Sequence, residues 1–335
     1  MTAFRIIPTA TELPDEWNKI AENYFQQTPF LIHAEKYNPC KQRYYLSFEN
    51  DKLLAAAIVY TLQLDLLTYL RIKSPIKMHI IGIPCSVSSP GIFGDRLSVE
   101  QLKTHIYSVE KGFLLALNLK EKPSNTYFAS GKTLPTLVLE NHFSGWNNYI
   151  DSLRAPYRRR LKQLSSTNAN LHFEEKIGAD FTEEMYQQYL NVYQKSKDKL
   201  EKLSFDFFKY LPIDFKLTTC SMNKKTVGWN IALSDNKTYY FFLGGIDYPQ
   251  NEVHQTYLRL MVRLVKKGIE NQSAAIDLGQ TAEVPKMRMG GTPVPRYMEA
   301  RHSYRLLNWL LKKFGGALEY KRNLENTQAF KTEEV

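Results

Sequence analysis

Short stretches of alternating hydrophobic and polar residues recur along the chain, and polar turns separate them. In the second half, three such stretches follow one another at 215–222, 226–233 and 237–243. Alternation with a period of two is typical of strands with one buried face, and short polar turns between such strands are typical of hairpins. We therefore expect an antiparallel meander here, followed by a helix and a short strand at 274–278.

The helix after the meander is predicted over residues 252–267, because its hydrophobic residues recur at the three- and four-residue spacing of one helix face. Gly268 is expected to end the helix as a left-handed cap. The start of the helix, near Asn251, is expected to present free backbone amides that suit an anion. The cations off the hydrophobic stripe, among them Arg259, fit an ordinary surface helix better than a binding site. The stripe consists of Val253, Tyr257, Leu260, Met261, Leu264 and Val265.

The first half of the chain has a similar succession of elements. Residues 49–60 and 222–233 each consist of a polar turn followed by an apolar strand, which suggests an internal duplication. Because 335 residues exceed the usual size of one hydrophobic core, we expect two domains, at 1–145 and 146–320, and a flexible tail at 321–335. In the first half, strands are predicted at 4–7, 43–48, 53–60, 67–72, 78–83, 126–128 and 136–139, and a helix at 99–119.

The chain is basic, with 44 Lys and Arg against 34 Asp and Glu and a net charge of +10. This surplus favours polyanionic partners such as nucleotide phosphates, tRNA or an anionic membrane surface, although a basic soluble protein without such a partner has the same composition. No apolar run reaches the roughly 18–20 residues that cross a bilayer, and the first residues do not resemble a secretory signal. Three widely spaced cysteines disfavour a disulfide framework or a zinc site and fit a cytoplasmic protein.

A run of five cations in residues 154–162 is the first candidate for binding chemistry. Arginine side chains such as those of Arg158 and Arg159 suit phosphate oxygens, and a solvated basic helix face is the alternative.

A second group of polar residues surrounds the predicted meander, helix and strand. Before the helix, the aromatic strand that contains Tyr240 runs into the double glycine Gly244-Gly245, which we expect to start a loop with Asp247. His254 lies at the start of the helix, where a lone histidine is more often a cap or a surface residue than a catalytic group. After the final strand come Asp277, Gln280 and the pair Lys286 and Arg288.

Four segments together resemble the FemAB/FemX-type branch of the GNAT acyltransferase superfamily. They are LPTLVLE (134–140), SLRAPYRRRLKQ (152–163), FLGGID (242–247) and AIDLGQTAEVPKMRMGG (275–291). The resemblance implies an α/β (α+β) fold of two tandem GNAT-like domains, with mixed central sheets flanked by helices. It also implies transfer of an acyl or aminoacyl group from acyl-CoA or aminoacyl-tRNA to an amine, for example that of a small molecule or a peptidoglycan precursor in cell wall biosynthesis. The reaction that the resemblance implies needs no metal.

The resemblance also implies roles for individual residues. Lys286 matches a lysine near the reacting carbonyl, where a fixed cation stabilises the negative charge that acyl transfer builds on oxygen. Arg158 and Arg159 match arginines that would hold phosphates, and Asp277 and Gln280 match a strand-end motif that would position the acceptor. Looser candidates for binding the substrate or shuttling its proton are Tyr240, Gly244, Gly245, Asp247, His254 and Arg288.

One departure from the GNAT pattern keeps the donor open. Residues 248–254 contain no glycine, so the usual backbone cradle for the CoA pyrophosphate is not predicted. One alternative is a non-catalytic protein that binds tRNA or a phospho-ligand on a GNAT-derived scaffold. Another is an enzyme whose acceptor is a lipid or cell-wall precursor, met through peripheral contact with a membrane.

Overall fold

The computed structural model describes residues 2–64, 76–85, 87–124, 127–166, 170–196, 201–317, 319–322, 324 and 327–331. The chain divides into two compact units: unit 1 combines residues 1–135 with 295–322, and unit 2 combines 136–294 with 323–335. Each unit thus contains a segment from a distant part of the chain. The ranges expected from the sequence, 1–145, 146–320 and 321–335, are instead each continuous along the chain. The predicted strand at 67–72 lies outside the described residues.

Unit 1 contains a mixed sheet with the order β1-β2-β3-β4-β6-β13, and β5 pairs with β3. β4 and β6 run parallel, whereas the other neighbours are antiparallel. Its strands are β1 (Thr2–Ile7), β2 (Arg43–Glu49), β3 (Lys52–Leu64), β4 (Ile76–Ile81), β5 (Ile92–Gly94), β6 (Phe113–Leu119) and the larger part of β13 (Thr292–His302).

The helices of unit 1 are α1 (Asp15–Ile20), α2 (Thr28–Tyr37), α3 (Arg96–Val109) and α11 (Arg305–Phe314). The prediction of one helix over 99–119 is wrong in its second half. Gly112 has a φ of +90°, and the apolar residues after it form the strand β6. A short apolar run between other strands cannot be told from a buried helix by periodicity alone.

The strands of unit 2 have the order β7-β12-β11-β10-β9-β8. β11 and β12 are parallel, and the other described neighbours are antiparallel. The predicted meander is confirmed as β9, β10 and β11. The strands are β7 (Ala129–Glu140, which begins in unit 1), β8 (His172–Lys176), β9 (Phe215–Met222), β10 (Lys225–Asp235), β11 (Thr238–Ile246) and β12 (Ala275–Asp277).

Helices cover both faces of the unit 2 sheet, as the side chains of β10 show. Gly228 faces one helix closely, since an added Cβ would lie 2.7 Å from Cγ2 of Thr256. Trp229 points to the other face, where its Nε1 donates a hydrogen bond to the carbonyl oxygen of Met185 at 3.0 Å. The helices are α4 (Trp146–Ser152), α5 (Ala155–Ser165), α6 (Glu183–Lys195), α7 (Phe205–Lys209), α8 (Tyr248–His254), α9 (Thr256–Glu270) and α10 (Glu283–Met287).

The helix predicted at 252–267 is in fact two helices, α8 and α9, which meet at Gln255 with a φ of +54°. The prediction that Gly268 caps the helix is wrong, because α9 continues to Glu270. An added Cβ at Gly268 would lie 2.8 Å from Cδ1 of Ile276. This glycine therefore allows α9 to approach the sheet closely.

The strands of the two units have the same order in space, as the suggested duplication would require. In each unit an antiparallel meander lies next to a strand parallel to its last member, a helix connects the two, and an antiparallel strand ends the order. The final strand is β13 in unit 1 and β7 in unit 2. Each sheet is mixed and carries helices, as the predicted fold class requires.

Part of the range expected to be a flexible tail packs on unit 2. Leu153 and Phe330 form a β-bridge, and the amide of Lys331 donates to the carbonyl oxygen of Ser152 at 2.9 Å. Ala329 is buried with 3% exposure. Residues 327–331 are therefore held by backbone hydrogen bonds and burial.

Candidate functional site

The parallel strands β11 and β12 diverge within the unit 2 sheet. They pair at three positions, the last of which places Tyr240 opposite Asp277. The chain then follows β7, because the amide of Leu278 donates to the carbonyl oxygen of Leu137 at 2.8 Å while β11 continues along β10. The carboxyl ends of parallel strands are a common place for ligands in sheets covered by helices.

The loop after β12 has an unusual backbone. Gly279, Thr281 and Ala282 have φ values of +72°, +56° and +49°, a region that residues with a side chain seldom adopt. Asp277 holds the start of the loop, since its Oδ1 accepts a hydrogen bond from the amide of Gly279 at 2.7 Å. Strained backbone of this kind persists only where its surroundings fix it, and it collects at functional sites.

Lys286 lies in α10, directly after this loop, and is only 1% exposed. Its Nζ donates to the carbonyl oxygen of Gln280 at 2.5 Å and lies 5.4 Å from the ring centroid of Phe241 in β11. Burial lowers the pKa of Lys286 to about 7, and the carboxylates of Asp277 and Glu283 oppose this shift. The side chain therefore exchanges between ammonium and neutral amine close to neutral pH.

This arrangement is suited to two kinds of chemistry. A buried ammonium stabilises a developing oxyanion more strongly than an exposed one, because little water screens it. A group with a pKa near 7 can also take up or release a proton at neutral pH. Phe241, which forms one wall beside the ammonium, was not among the residues predicted from the sequence. Its place in the aromatic strand is the only signal that pointed to it.

The structure brings three of the predicted residues together at the end of the β11–β12 pair, namely Asp277, Gln280 and Lys286, and Tyr240 is the strand partner of Asp277. Arg288 is exposed at the end of α10, two residues beyond Lys286.

The double glycine does not start a loop, as the sequence had suggested, but lies inside β11. Gly244 and Gly245 pair with Asn230 and Trp229 of β10. An added Cβ at Gly245 would lie 2.5 Å from Nε1 of Trp229, and one at Gly244 would lie 3.0 Å from the carbonyl oxygen of Trp229. Packing against the tryptophan therefore explains both glycines.

Asp247 and His254 lie at the two ends of α8. The Oδ1 of Asp247 accepts from the amide of Gln250 at 3.2 Å and so caps the helix. The carbonyl oxygen of His254 accepts from Nε of Arg259 at 3.1 Å. Among the described contacts, none joins either residue to Lys286, and their roles in binding or proton transfer stay predictions.

Arg158 and Arg159 lie in α5, with Arg158 half-buried and Arg159 exposed. The C-terminus of α5 is fixed by Arg259 of α9, whose Nη1 donates to the carbonyl oxygens of Leu164 at 2.8 Å and Ser166 at 3.1 Å. The sequence suggested a surface position for Arg259. Its role in holding α5 depends on a contact between distant segments.

The amides expected to bind an anion before α9 have partners from the protein itself. The Asp247 carboxylate accepts a hydrogen bond from the amide of Gln250, and Oδ1 of Asn251 accepts one from the amide of Tyr257 at 2.9 Å. A carboxylate at the start of α8 repels a phosphate group. The structure therefore agrees with the lack of glycines in arguing against a usual CoA cradle at this place.

Similarity to solved structures identifies the fold. The chain aligns with the crystal structure of FemX with a TM-score of 0.51 and 7% sequence identity, covering 81% of this chain and 90% of FemX. The chain has the FemX-type GNAT fold. It also aligns with L-PGS from Bacillus licheniformis (TM-score 0.48, 9% identity, 85% of this chain and 95% of that one). A tandem GNAT protein from the clavulanic acid biosynthesis pathway aligns similarly (TM-score 0.48, 8% identity, 89% of this chain and 98% of that one).

No model of a known protein family matches the sequence, and no curated protein matches it. Within the described residues, no group of three or more His, Cys, Asp or Glu side chains could hold a metal ion. In the same part of the chain, none of the helices has the length and apolar character needed to span a bilayer.

Proposed function

We propose that the protein is an N-acyltransferase that moves an acyl or aminoacyl group to an amine, with its reaction centre at the end of the β11–β12 pair. The observation that carries this proposal is the buried Lys286 directly after the strained loop of a GNAT-type fold. The acceptor is an amine on a small molecule or a peptidoglycan precursor, and we place the reaction in the cytoplasm.

In the proposed reaction, the amine nitrogen attacks the carbonyl carbon of the donor ester or thioester. A C–N bond forms, the C–O or C–S bond to the leaving group breaks, and the proton lost by the amine passes to the leaving oxygen or sulfur. The ammonium of Lys286 stabilises the oxyanion that forms between these two steps. Asp277 and Gln280 position the acceptor beside it, whereas His254 is a weaker candidate for the proton transfer.

An aminoacyl-tRNA ester is the donor that the residues of unit 2 favour over acyl-CoA. The amides before α9 are used by Asp247 and Asn251, which leaves a CoA pyrophosphate without its usual cradle. Arg158 and Arg159 belong to a basic helix, and arginine forks bind phosphate oxygens well. The net charge of +10 attracts a polyanion such as tRNA.

A second candidate is a protein that binds tRNA or another phospho-ligand without catalysis. The same lack of an amide cradle favours it, because a lost donor site would leave binding intact. Under this alternative, Lys286 is a buried structural cation and its replacement does not change ligand affinity.

A thermal-shift screen tests the proposal and separates the candidates. Deacylated tRNA, aminoacyl-tRNA, acetyl-CoA, a long-chain acyl-CoA and a UDP-sugar are compared, because a ligand that binds only the folded state raises the melting temperature. We expect a shift with aminoacyl-tRNA that salt weakens, followed by transfer of the labelled aminoacyl group to an amine. Binding of tRNA without any transfer would support the second candidate, and a shift with acyl-CoA alone would reverse the choice of donor.

A further inference from the structure

The helix α11 of unit 1 is attached to the protein through its polar side. Asn308 donates from Nδ2 to the carbonyl oxygen of Tyr127 at 3.1 Å, and its Oδ1 accepts from the amide of His302 at 3.1 Å. The usual order of an amphipathic helix is therefore reversed, since a surface helix normally turns its apolar stripe towards the core.

The apolar side of α11 is exposed. None of the ten residues of this helix, all of them described, is buried. At about 100° per residue, all of its apolar side chains except that of Leu311 point roughly 100–160° away from Asn308 around the helix axis. The exposed members of this face are Leu306 (69% exposed), Leu307 (43%), Trp309 (54%) and Phe314 (61%).

The helix also carries only positive charge. Arg305, Lys312 and Lys313 are exposed, and the sequence contains no Asp or Glu between Glu299 and Glu319. The Nζ of Lys313 lies 5.1 Å from the ring centroid of Trp309. Long cationic side chains beside leucines and aromatic residues are the pattern of helices that lie in a membrane interface.

We propose that α11 anchors the protein on an anionic phospholipid surface. The apolar side chains enter the boundary between headgroups and acyl chains, where Trp309 is favoured, and the cations pair with lipid phosphates. Ten residues at about 1.5 Å each are too short to cross a core of about 30 Å, so the helix lies on the membrane.

Two other occupants fit the face less well. Two copies of α11 packed together would bring cations against cations, which costs affinity. A nucleic acid would pair with the cations but would leave Leu306 and Leu307 in water. The anchor does not depend on the proposed acyl transfer, because binding to lipid requires neither donor nor acceptor.

Vesicle sedimentation tests this proposal directly. Wild-type protein is incubated with vesicles of phosphatidylcholine alone or with about one-third phosphatidylglycerol. We expect binding to the anionic vesicles, with a blue shift of the tryptophan emission that Trp309→Phe removes. Trp17 and Trp229 cannot give this signal, because they are 0% and 1% exposed.

A matched pair of variants separates α11 from a general hydrophobic effect. Leu306 and Leu97 are both 69% exposed in unit 1, but Leu97 lies in α3. We expect Leu306→Asn to weaken vesicle binding about tenfold and Leu97→Asn to leave it unchanged. The double variant Lys312→Gln/Lys313→Gln should bind about thirtyfold more weakly to anionic vesicles, and only to these.

Three results would overturn the anchor: wild-type protein that stays in the supernatant, equal binding by Leu306→Asn and Leu97→Asn, or equal binding to both vesicle types. Self-association that Leu306→Asn abolishes, without vesicle binding, would assign the face to a second copy instead. Loss of tRNA binding in Leu306→Asn, again without vesicle binding, would assign it to nucleic acid.

Discussion

The ammonium of Lys286 donates a 2.5 Å hydrogen bond to the carbonyl oxygen of Gln280, inside the loop that follows β12. The loop reaches this position through left-handed backbone at Gly279, Thr281 and Ala282. A main-chain oxygen thus satisfies one donor of a cation that burial otherwise disfavours. The position of the charge and the strain of the loop therefore depend on each other.

The stability of the protein should depend on pH through Lys286. Burial lowers the pKa of Lys286 to about 7 in the folded state, whereas the pKa of an unfolded lysine is about 10.4. Below pH 7 the lysine is protonated in both the folded and the unfolded protein. Between pH 7 and about 10.4 only the unfolded protein binds the proton, so the free energy of unfolding rises with pH over this range. Relative to Lys286→Met, the wild type should gain on the order of 4 kcal/mol between pH 7 and pH 10.

Urea unfolding of both proteins across this pH range measures the difference. A difference that does not change with pH would mean that Lys286 titrates at its ordinary pKa in the folded protein.

Relief of the loop strain should increase stability and reduce activity. Ala282 has a φ of +49°, where glycine avoids the clash of a Cβ. Ala282→Gly should therefore raise the free energy of unfolding by roughly 1 kcal/mol while loosening the loop and lowering turnover. Ala21→Gly is the control, since Ala21 has a φ of −62° and should lose roughly 0.5–1 kcal/mol. A loss of stability in both variants would show that Ala282 is not strained.

Gly245 in β11 should tolerate no side chain. A Cβ at Gly245 would lie 2.5 Å from Nε1 of Trp229, whereas one at Gly145 meets no atom within 4 Å. We expect Gly245→Ala to lower the free energy of unfolding by about 1–3 kcal/mol and Gly145→Ala to have little effect. Equal unfolding midpoints in urea would contradict the close packing on Trp229.

Arg259 should hold α5 in place. Its Nη1 donates to the carbonyl oxygens of Leu164 and Ser166 at the end of α5. Hydrogen bonds from a charged donor contribute about 1.5–3 kcal/mol, so Arg259→Met should destabilise the protein by about this amount. Arg160→Met removes an exposed cation from α5 and serves as the control for charge. Hydrogen exchange in α5 that is equally slow in both variants would argue against this role.

The elements that could be predicted from the sequence are those with local signals. The meander of β9, β10 and β11 follows from alternation and polar turns. Lys286 entered through the family resemblance, because no local pattern marks a residue that will be buried by a loop.

The elements that were missed depend on distant contacts. β13 was not predicted because Pro293 and Pro295 indicate a loop, and its described pairing with β6 begins only at Tyr297. Gly268 was taken for a helix cap because its role is set by Ile276 across the helix–sheet contact. The outward apolar face of α11 likewise has no local signature.

The most direct test of the proposed site is the turnover of the wild type and Lys286→Met across pH 6 to 9, with the donor that the ligand screen identifies. We expect the turnover of Lys286→Met at pH 6.5 to be lower than that of the wild type by a factor of about 10² or more, since an oxyanion donor contributes this much. The ratio of the two turnovers cancels the titration of the acceptor amine, and it should fall as pH rises through about 7, where Lys286 loses its proton. Equal turnover by the two proteins at every pH would contradict the assignment of Lys286 to the reaction centre.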